Sequence, residues 1–187
     1  MTVTKSAARD DVRAGILEAS IALMNEGGLG ALSMREVARR AGVSHQAPYH
    51  YFAARGAILA ELAGEGFDKL TDYMISAVGL ARDKAGRNRA LGEAYIRFAL
   101  NNPEVFRLMF RCEMVDLANY PQAKEKADRC FQYVAETLGA GPITDKTSAE
   151  LVPVIAAWAT AHGLATLMLE GKLGEAFGNT QDQREEA

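Results

Sequence analysis

Apolar residues recur three and four positions apart along almost the whole chain, and the alternating Val/Ile/Thr runs that mark strands are missing. The pattern predicts an all-α protein. A first helix is expected from about Arg9 to Glu26, with Val12, Ile16, Ala19 and Leu23 on its inner face and Gly27-Gly28 as its stop. A short second helix follows. Ser33 is its N-cap, Glu36 completes a capping box, and Met34, Val37, Ala38 and Ala41 face inward. Gly42 breaks it, and Ser44 offers a cap for a third helix. A long fourth helix is expected over Arg55 to Val78, with Ile58, Leu59, Leu62, Leu70, Tyr73 and Met74 inward. The polar stretch from Arg82 to Arg89 is the best linker candidate. One helix then ends near Leu100, another opens at Asn102-Pro103, and a third runs from Tyr120-Pro121 to the Gly139-Ala140-Gly141-Pro142 break. Thr147 with Glu150 reads as a capping box opening a final helix to about Glu170, kinked at Pro153. The polar tail beyond Gly178 is expected to fray.

Two short capped helices separated by Ala41-Gly42-Val43 have the length and layout of a helix-turn-helix. Gly42 enters a left-handed conformation at low cost, and Val43 can plug the gap between the helices. In the third helix, Pro48, Tyr51 and Phe52 share one apolar face. His45, Gln46, Tyr49 and His50 lie on the other, with donors, acceptors and aromatic tips but no carboxylate. Such a face suits a major groove. Gln can bond adenine bidentately, His can donate to guanine, and the Ala47 methyl can meet a thymine methyl. The alternative is a plain helical hairpin whose exposed face does nothing.

Composition qualifies this picture. The chain has 187 residues, of which 49% are hydrophobic, enough for a real core. No uninterrupted run of about 20 apolar residues is evident, so no membrane span is expected, and a polar N-terminus points to the cytoplasm. Net charge is −3, against a generic basic nucleic-acid coat, but it is unevenly spread. Up to Arg55 there are seven Lys/Arg against five Asp/Glu; beyond it, fourteen against nineteen. Local charge, not the total, sets a DNA footprint. Cys112 and Cys130 fit no metal or disulfide spacing and read as free thiols, with redox sensing by either left open. The enzymatic alternative, Cys112 with a histidine or His162 with a glutamate, lacks a triad order, metal cluster or phosphate loop. No catalytic residue, metal or cofactor is expected.

Residues from about Gly15 to Leu62 resemble the DNA-binding domain of the TetR family. The matching elements are Leu32-Ser33-Met34-Arg35-Glu36-Val37-Ala38, Ala41-Gly42-Val43-Ser44, Tyr49-His50-Tyr51-Phe52 and Ile58-Leu59. The resemblance implies a helix-turn-helix domain over 9–55 (motif about 33–52), a connecting helix over 56–80, a helical ligand-binding and dimerisation domain over 81–178, and flexible termini at 1–8 and 179–187. It further implies a homodimeric repressor that binds palindromic double-stranded operator DNA and releases it when a small-molecule effector binds. Carried over by position, Ser33, Tyr49 and His50 touch phosphates, His45, Gln46 and Ala47 face base edges, and Arg55 stands at a phosphate-binding position. Arg35 and Ser44 belong to the same DNA-facing set. The arm residues Lys5, Arg9 and Arg13 are diluted by Asp10 and Asp11, which weakens a minor-groove contact.

Further on, Trp158-Ala159-Thr160-Ala161-His162-Gly163-Leu164, with Asn102-Pro103-Glu104-Val105-Phe106 upstream, resembles the subgroup named for a Trp-His-Gly signature. Leu151, Ile155, Trp158, His162, Ala165 and Leu169 form the expected inward face of the last helix. Ala156, Thr160, Gly163 and Leu167 form a small-residue face. With Phe131 on the Pro121–Leu138 helix it is expected to build a four-helix dimer interface, unless it packs inside one subunit. Phe98, Phe106, Met109, Phe110 and Met114, with Trp158 and His162, are either an apolar pocket for a hydrophobic or aromatic effector or an ordinary core. For His162 the choice is between a hydrogen-bonded core residue and a ligand anchor.

Overall fold

Seven α-helices and four short 3-10 turns make up the regular structure among the described residues, which in this computed structural model are 3–111, 113–143 and 149–173. The helices are α1 (Val3–Gly27), α2 (Met34–Arg40), α3 (Arg55–Val78), α4 (Lys84–Asn101), α5 (Pro103–Met109), α6 (Pro121–Leu138) and α7 (Val152–Leu169). No strand occurs among these residues, as the periodicity predicts.

Local chemistry explains most boundaries. α1 starts before Arg9, inside the stretch expected to be flexible, and stops where Gly28 turns to φ 70°. Ser33 caps α2 by accepting from the Glu36 N–H at 3.2 Å. The capping box is otherwise unfilled, because the Glu36 carboxylate pairs with Arg39. Gly42, at φ 67°, then lets Val43 N–H reach the Ala38 carbonyl at 3.1 Å. α3 keeps the expected limits. The predicted kink at Pro153 does not arise: α7 begins at Val152, so the proline occupies its first turn, where no N–H is needed. Thr147 and the tail beyond Gly178 lie outside the described residues.

The chain forms two compact units that do not follow a linear division at the linker. The first comprises residues up to Phe67 together with Glu104–Ala127; the second comprises Asp68–Pro103 and the chain from Asp128 on. α3 and α6 each contribute residues to both. In the first unit Ile16, Met24, Val37, Ile58, Leu59, Leu62 and Leu108 are fully buried, each worth about 2 kcal/mol of apolar burial. Three glycines set how closely α5 and α6 approach α3. A Cβ at Gly66 would lie 2.7 Å from both Met109 Sδ and Val105 Cγ1, and one at Gly64 would lie 3.2 Å from the Ala123 Cα. A Cβ at Gly56 would lie 2.6 Å from the Tyr120 hydroxyl.

In the second unit α4 packs along α7. Leu70, Met74 and Phe98 are fully buried, and Phe98 meets Tyr73 edge-on with ring centres 5.7 Å apart. The inner face of α7 is Leu151, Val154, Trp158, His162 and Ala165, all buried or half-buried. Ile155, expected there, is 42% exposed. Starting the helix at Val152 rather than near Thr147 lets Val154 take the first buried α-helical position, one residue before Ile155.

Candidate nucleic-acid interface and apolar cavity

The segment after Gly42 is not the α-helix from Ser44 that the caps suggest. Pro48 has no N–H to give the Ser44 carbonyl, and its ring would crowd that oxygen. A tighter path results: Ala47 N–H donates to Ser44 at 2.9 Å, and Ala47–His50 forms a 3-10 turn. Phe52 N–H then returns to the Pro48 carbonyl at 2.9 Å. The two-sidedness survives the change. Pro48 and Phe52 are buried; Ser44, His45, Gln46, Tyr49 and His50 are exposed, Ala47 and Tyr51 partly so. The Tyr49 ring is 46% exposed and tilts against His45 with centres 6.4 Å apart. Five exposed polar side chains thus sit on an apolar plug.

Charge around this edge is selective. Arg39 is paired with Glu36, and Arg40 grips Glu26 through both terminal nitrogens at 2.6 Å. These bonds hold both carboxyls below the usual carboxylate range. Arg35 is exposed and makes no ion pair or hydrogen bond among the described residues. Arg55, at the position expected to bind phosphate, is engaged within the chain. It is half-buried and donates from Nε to the Leu32 carbonyl at 2.7 Å and from Nη2 to the Leu29 carbonyl at 2.6 Å. It ties α3 to the turn ahead of α2. Arg13 is likewise engaged, with Glu61 at 2.8 Å and over the Phe52 ring.

The seven residues expected to line one pocket divide between the two units. Phe106 and Phe110 meet at 5.2 Å between ring centres, and Phe110 meets Phe67 at 5.8 Å. Met109 and Met114 belong to the same first unit. Phe98, Trp158 and His162 belong to the second. There a cavity of about 80 Å3 is lined by Met74, Asn88, Leu91, Gly92, Tyr95, Val134, Leu138, Ala157, Trp158 and Ala161. Of the seven, only Trp158 lines it.

Tyr95 is the residue that sequence reasoning missed. Its hydroxyl accepts from Trp158 Nε1 at 3.1 Å and lies 2.8 Å from His162 Nδ1. A tyrosine in an apolar helix carries no signal that separates a core ring from the centre of a polar network. Burial holds the Tyr95 phenol well above its usual range and pushes the His162 imidazole below its ordinary value of 6.5. A neutral His162 accepting from the phenol satisfies this geometry. Burial also pushes the Cys130 thiol up to about 11, so it stays protonated and ill-suited to redox sensing. Cys112 lies outside the described residues.

The outer side of α7 is apolar. Val152 is 61% exposed, and Ile155, Leu164, Leu167 and Met168 are each around two-fifths exposed. Ala156 and Thr160 are exposed and Gly163 is half-buried. The Thr160 hydroxyl returns to the Ala156 carbonyl at 2.8 Å, leaving its methyl outward. Phe131, expected on this interface, packs edge-on against Trp158 with centres 5.8 Å apart and is half-buried. Ala149–Leu169, with a mean hydropathy of 1.5, is long and apolar enough to cross a membrane by length and composition. This amends the expectation of no such stretch; Glu150, Pro153 and His162 interrupt it without lowering its average enough.

A family model described as "Bacterial regulatory proteins, tetR family" matches residues 16–62. A second, "Tetracyclin repressor-like, C-terminal domain", matches residues 88–186, more than half of the chain. The chain belongs to the TetR family. Members are DNA-binding transcriptional regulators. A curated relative, the HTH-type transcriptional activator FasR of Mycolicibacterium smegmatis, is 29% identical over 107 residues, 57% of this chain. Those residues cover 49% of FasR, so the match spans about half its length. Among solved structures, a protein of unknown function from Rhodococcus sp. RHA1 is 33% identical, covering 86% of this chain and 84% of its own, with a TM-score of 0.70. A TetR transcriptional regulator from the same organism is 22% identical, covering 88% and 87%, with a TM-score of 0.61, and shares the fold.

Proposed function

We propose that this TetR-family regulator is a cytoplasmic homodimeric repressor that reads a palindromic operator and leaves it when a small hydrophobic or aromatic effector binds the second unit. The observation that carries the proposal is the 44–50 segment, polar outward and apolar inward. In this reading His45, Gln46 and Ala47 meet base edges, while Ser33, Ser44, Tyr49, His50 and Arg35 meet phosphates. Arg35 replaces Arg55 as the principal cation, because Arg55 is tied to two carbonyls. The outer stripe of α7 supports dimerisation. A Cβ at Gly163 would meet nothing within 4 Å, so no packing within the chain demands a glycine there. The same stripe in a bilayer is disfavoured by its inner side, where Trp158 and His162 are bonded to Tyr95. The Trp158, His162, Gly163 pattern supports placement in the Trp-His-Gly subgroup.

The effector acts on the reading edge through α3 and α6, whose residues belong to both units. A coupling of about 1–3 kcal/mol is typical of such linkage. Activation is the second reading, favoured by the similarity to FasR, a transcriptional activator. The test is selection of random DNA fragments by the purified chain, followed by a reporter carrying the enriched site. Enrichment of an inverted repeat and a rise in transcription on deleting the regulator support repression; a fall supports activation. A chain that enriches no sequence refutes the DNA-reading proposal. Sedimentation tests the dimer: Leu164→Asp with Leu167→Asp is expected to yield a folded monomer.

A further inference from the structure

The second unit also carries an open groove of about 440 Å3, walled by Val78 of α3, Lys84 and Arg87 of α4, and Tyr133, Glu136 and Thr137 of α6. Its wall residues neighbour those of the cavity along the same three helices. Val78 lies one helical turn after Met74, Arg87 one turn before Leu91, and Thr137 beside Leu138. The groove has the size of a small-ligand site, about 300–1,000 Å3, which the cavity alone does not reach.

Its wall carries two basic side chains, Lys84 and Arg87, which like Arg35 stand apart from the paired arginines. Arg13, Arg39, Arg40, Arg107 and Arg129 are all paired with carboxylates. Lys84 and Arg87 are exposed and make no ion pair or hydrogen bond among the described residues. Lys84 Nζ stands over the end of α6, 3.5 Å from where a Cβ at Gly139 would be. Glu136 is the one acidic side chain on the wall, and Gln132 donates to it at 2.7 Å. Asp83 is turned aside, accepting from the Gly86 N–H at 2.7 Å as the cap of α4. Two cations without partners therefore flank a ligand-sized groove whose wall residues neighbour, along three helices, those of an apolar cavity with Trp158 in its wall.

We propose that the groove holds the anionic head, carboxylate or phosphate, of an amphiphilic effector whose apolar part enters and widens the apolar cavity. The inference rests on the regulator reading, since it names the chemistry of the effector that reading requires. A head at the water edge avoids burying a bare charge. The guanidinium of Arg87 can grip two oxygens, and Lys84 adds a point charge. The apolar part is drawn in by loss of water from its surface.

Hexanoate, hexyl phosphate and hexanamide share a short apolar tail and differ in the head. Trp158 is the sole tryptophan and lines the cavity, so its fluorescence reports arrival of the tail in the full chain. The anions are expected to bind about tenfold more tightly than hexanamide at low salt. That preference fades as salt is raised. It disappears in the Lys84→Gln, Arg87→Gln double variant, which keeps the hexanamide response and the thermal midpoint of the parent. The tighter of the two anions identifies the head. Equal affinity for all three probes, no response to any of them, or a preference that survives the double variant overturns the proposal. DNA selection separates the two ideas. A chain that enriches an operator but ignores every probe refutes the anion site alone; probe binding without DNA enrichment refutes the regulator reading and leaves the site standing.

Discussion

On α3, a methyl at Gly66 would strike Met109 and Val105 at 2.7 Å; on α4 and α7, a methyl at Gly92 or Gly163 would meet nothing within 4 Å. Gly64 and Gly66 of the first unit lie where helices approach closely, whereas Gly92 and Gly163 of the second lie where space remains, on the wall of a cavity and beside an exposed apolar stripe. The difference fits the two tasks proposed for the units. A DNA-reading edge must hold a few side chains in fixed register, and close packing supplies that rigidity. A unit that takes a ligand and a second copy of itself needs room and an unpartnered face.

The largest effect expected from this contrast is on stability. Gly66→Val should cost about 3 kcal/mol by overpacking, whereas Gly92→Ala should be neutral or gain up to about 1 kcal/mol of helix propensity. Chemical denaturation compares them, and equal losses would erase the distinction. Next comes Arg55→Ala, expected to cost about 2 kcal/mol through two lost charge-assisted bonds to carbonyls. Lysine should not rescue it, because one ammonium cannot reproduce the fork. A variant that kept full stability but showed a shallower salt dependence of DNA binding would restore Arg55 to a phosphate contact.

In the second unit the effects are smaller. Tyr95→Phe removes the hydroxyl shared by Trp158 and His162 and should cost about 1 kcal/mol, with a shift in tryptophan emission. The pH response is smaller still. Burial lowers the His162 pKa below its ordinary 6.5, so the unfolded chain takes up the proton first. Stability should therefore fall as pH drops below about 6.5 and level off below the depressed value. His162→Gln should flatten that slope; an unchanged slope would place the titration elsewhere.

The sequence made some of this legible because the signals were local. Ser33, Gly42 and the limits of α3 follow from side-chain capping, a left-handed turn and a long apolar stripe, each readable within a few residues. Ser44 predicts an α-helix by its capping chemistry, but the effect of Pro48 depends on the carbonyl four residues back, and a 3-10 turn forms instead. The close approaches at Gly64 and Gly66 were invisible, since their partners Ala123 and Met109 are some 40 to 60 residues away. The same distance hid Tyr95, whose partners lie 63 and 67 residues on. Phe106 and Phe98 were grouped by type alone, and type does not say which unit a ring joins. The trade of Ile155 for Val154 turned on where α7 begins, the least certain feature of any helix.

The central claim is that the exposed edge at His45 and Gln46 reads base sequence while its apolar back, Pro48 and Phe52, only holds it in place. The most direct measurement compares the parent chain with the His45→Ala, Gln46→Ala double variant, on the selected site and on a scrambled duplex at matched salt. The account predicts a loss of about 10- to 100-fold on the selected site and little change on the scrambled one. Equal losses on both duplexes, or no loss on either, would contradict it.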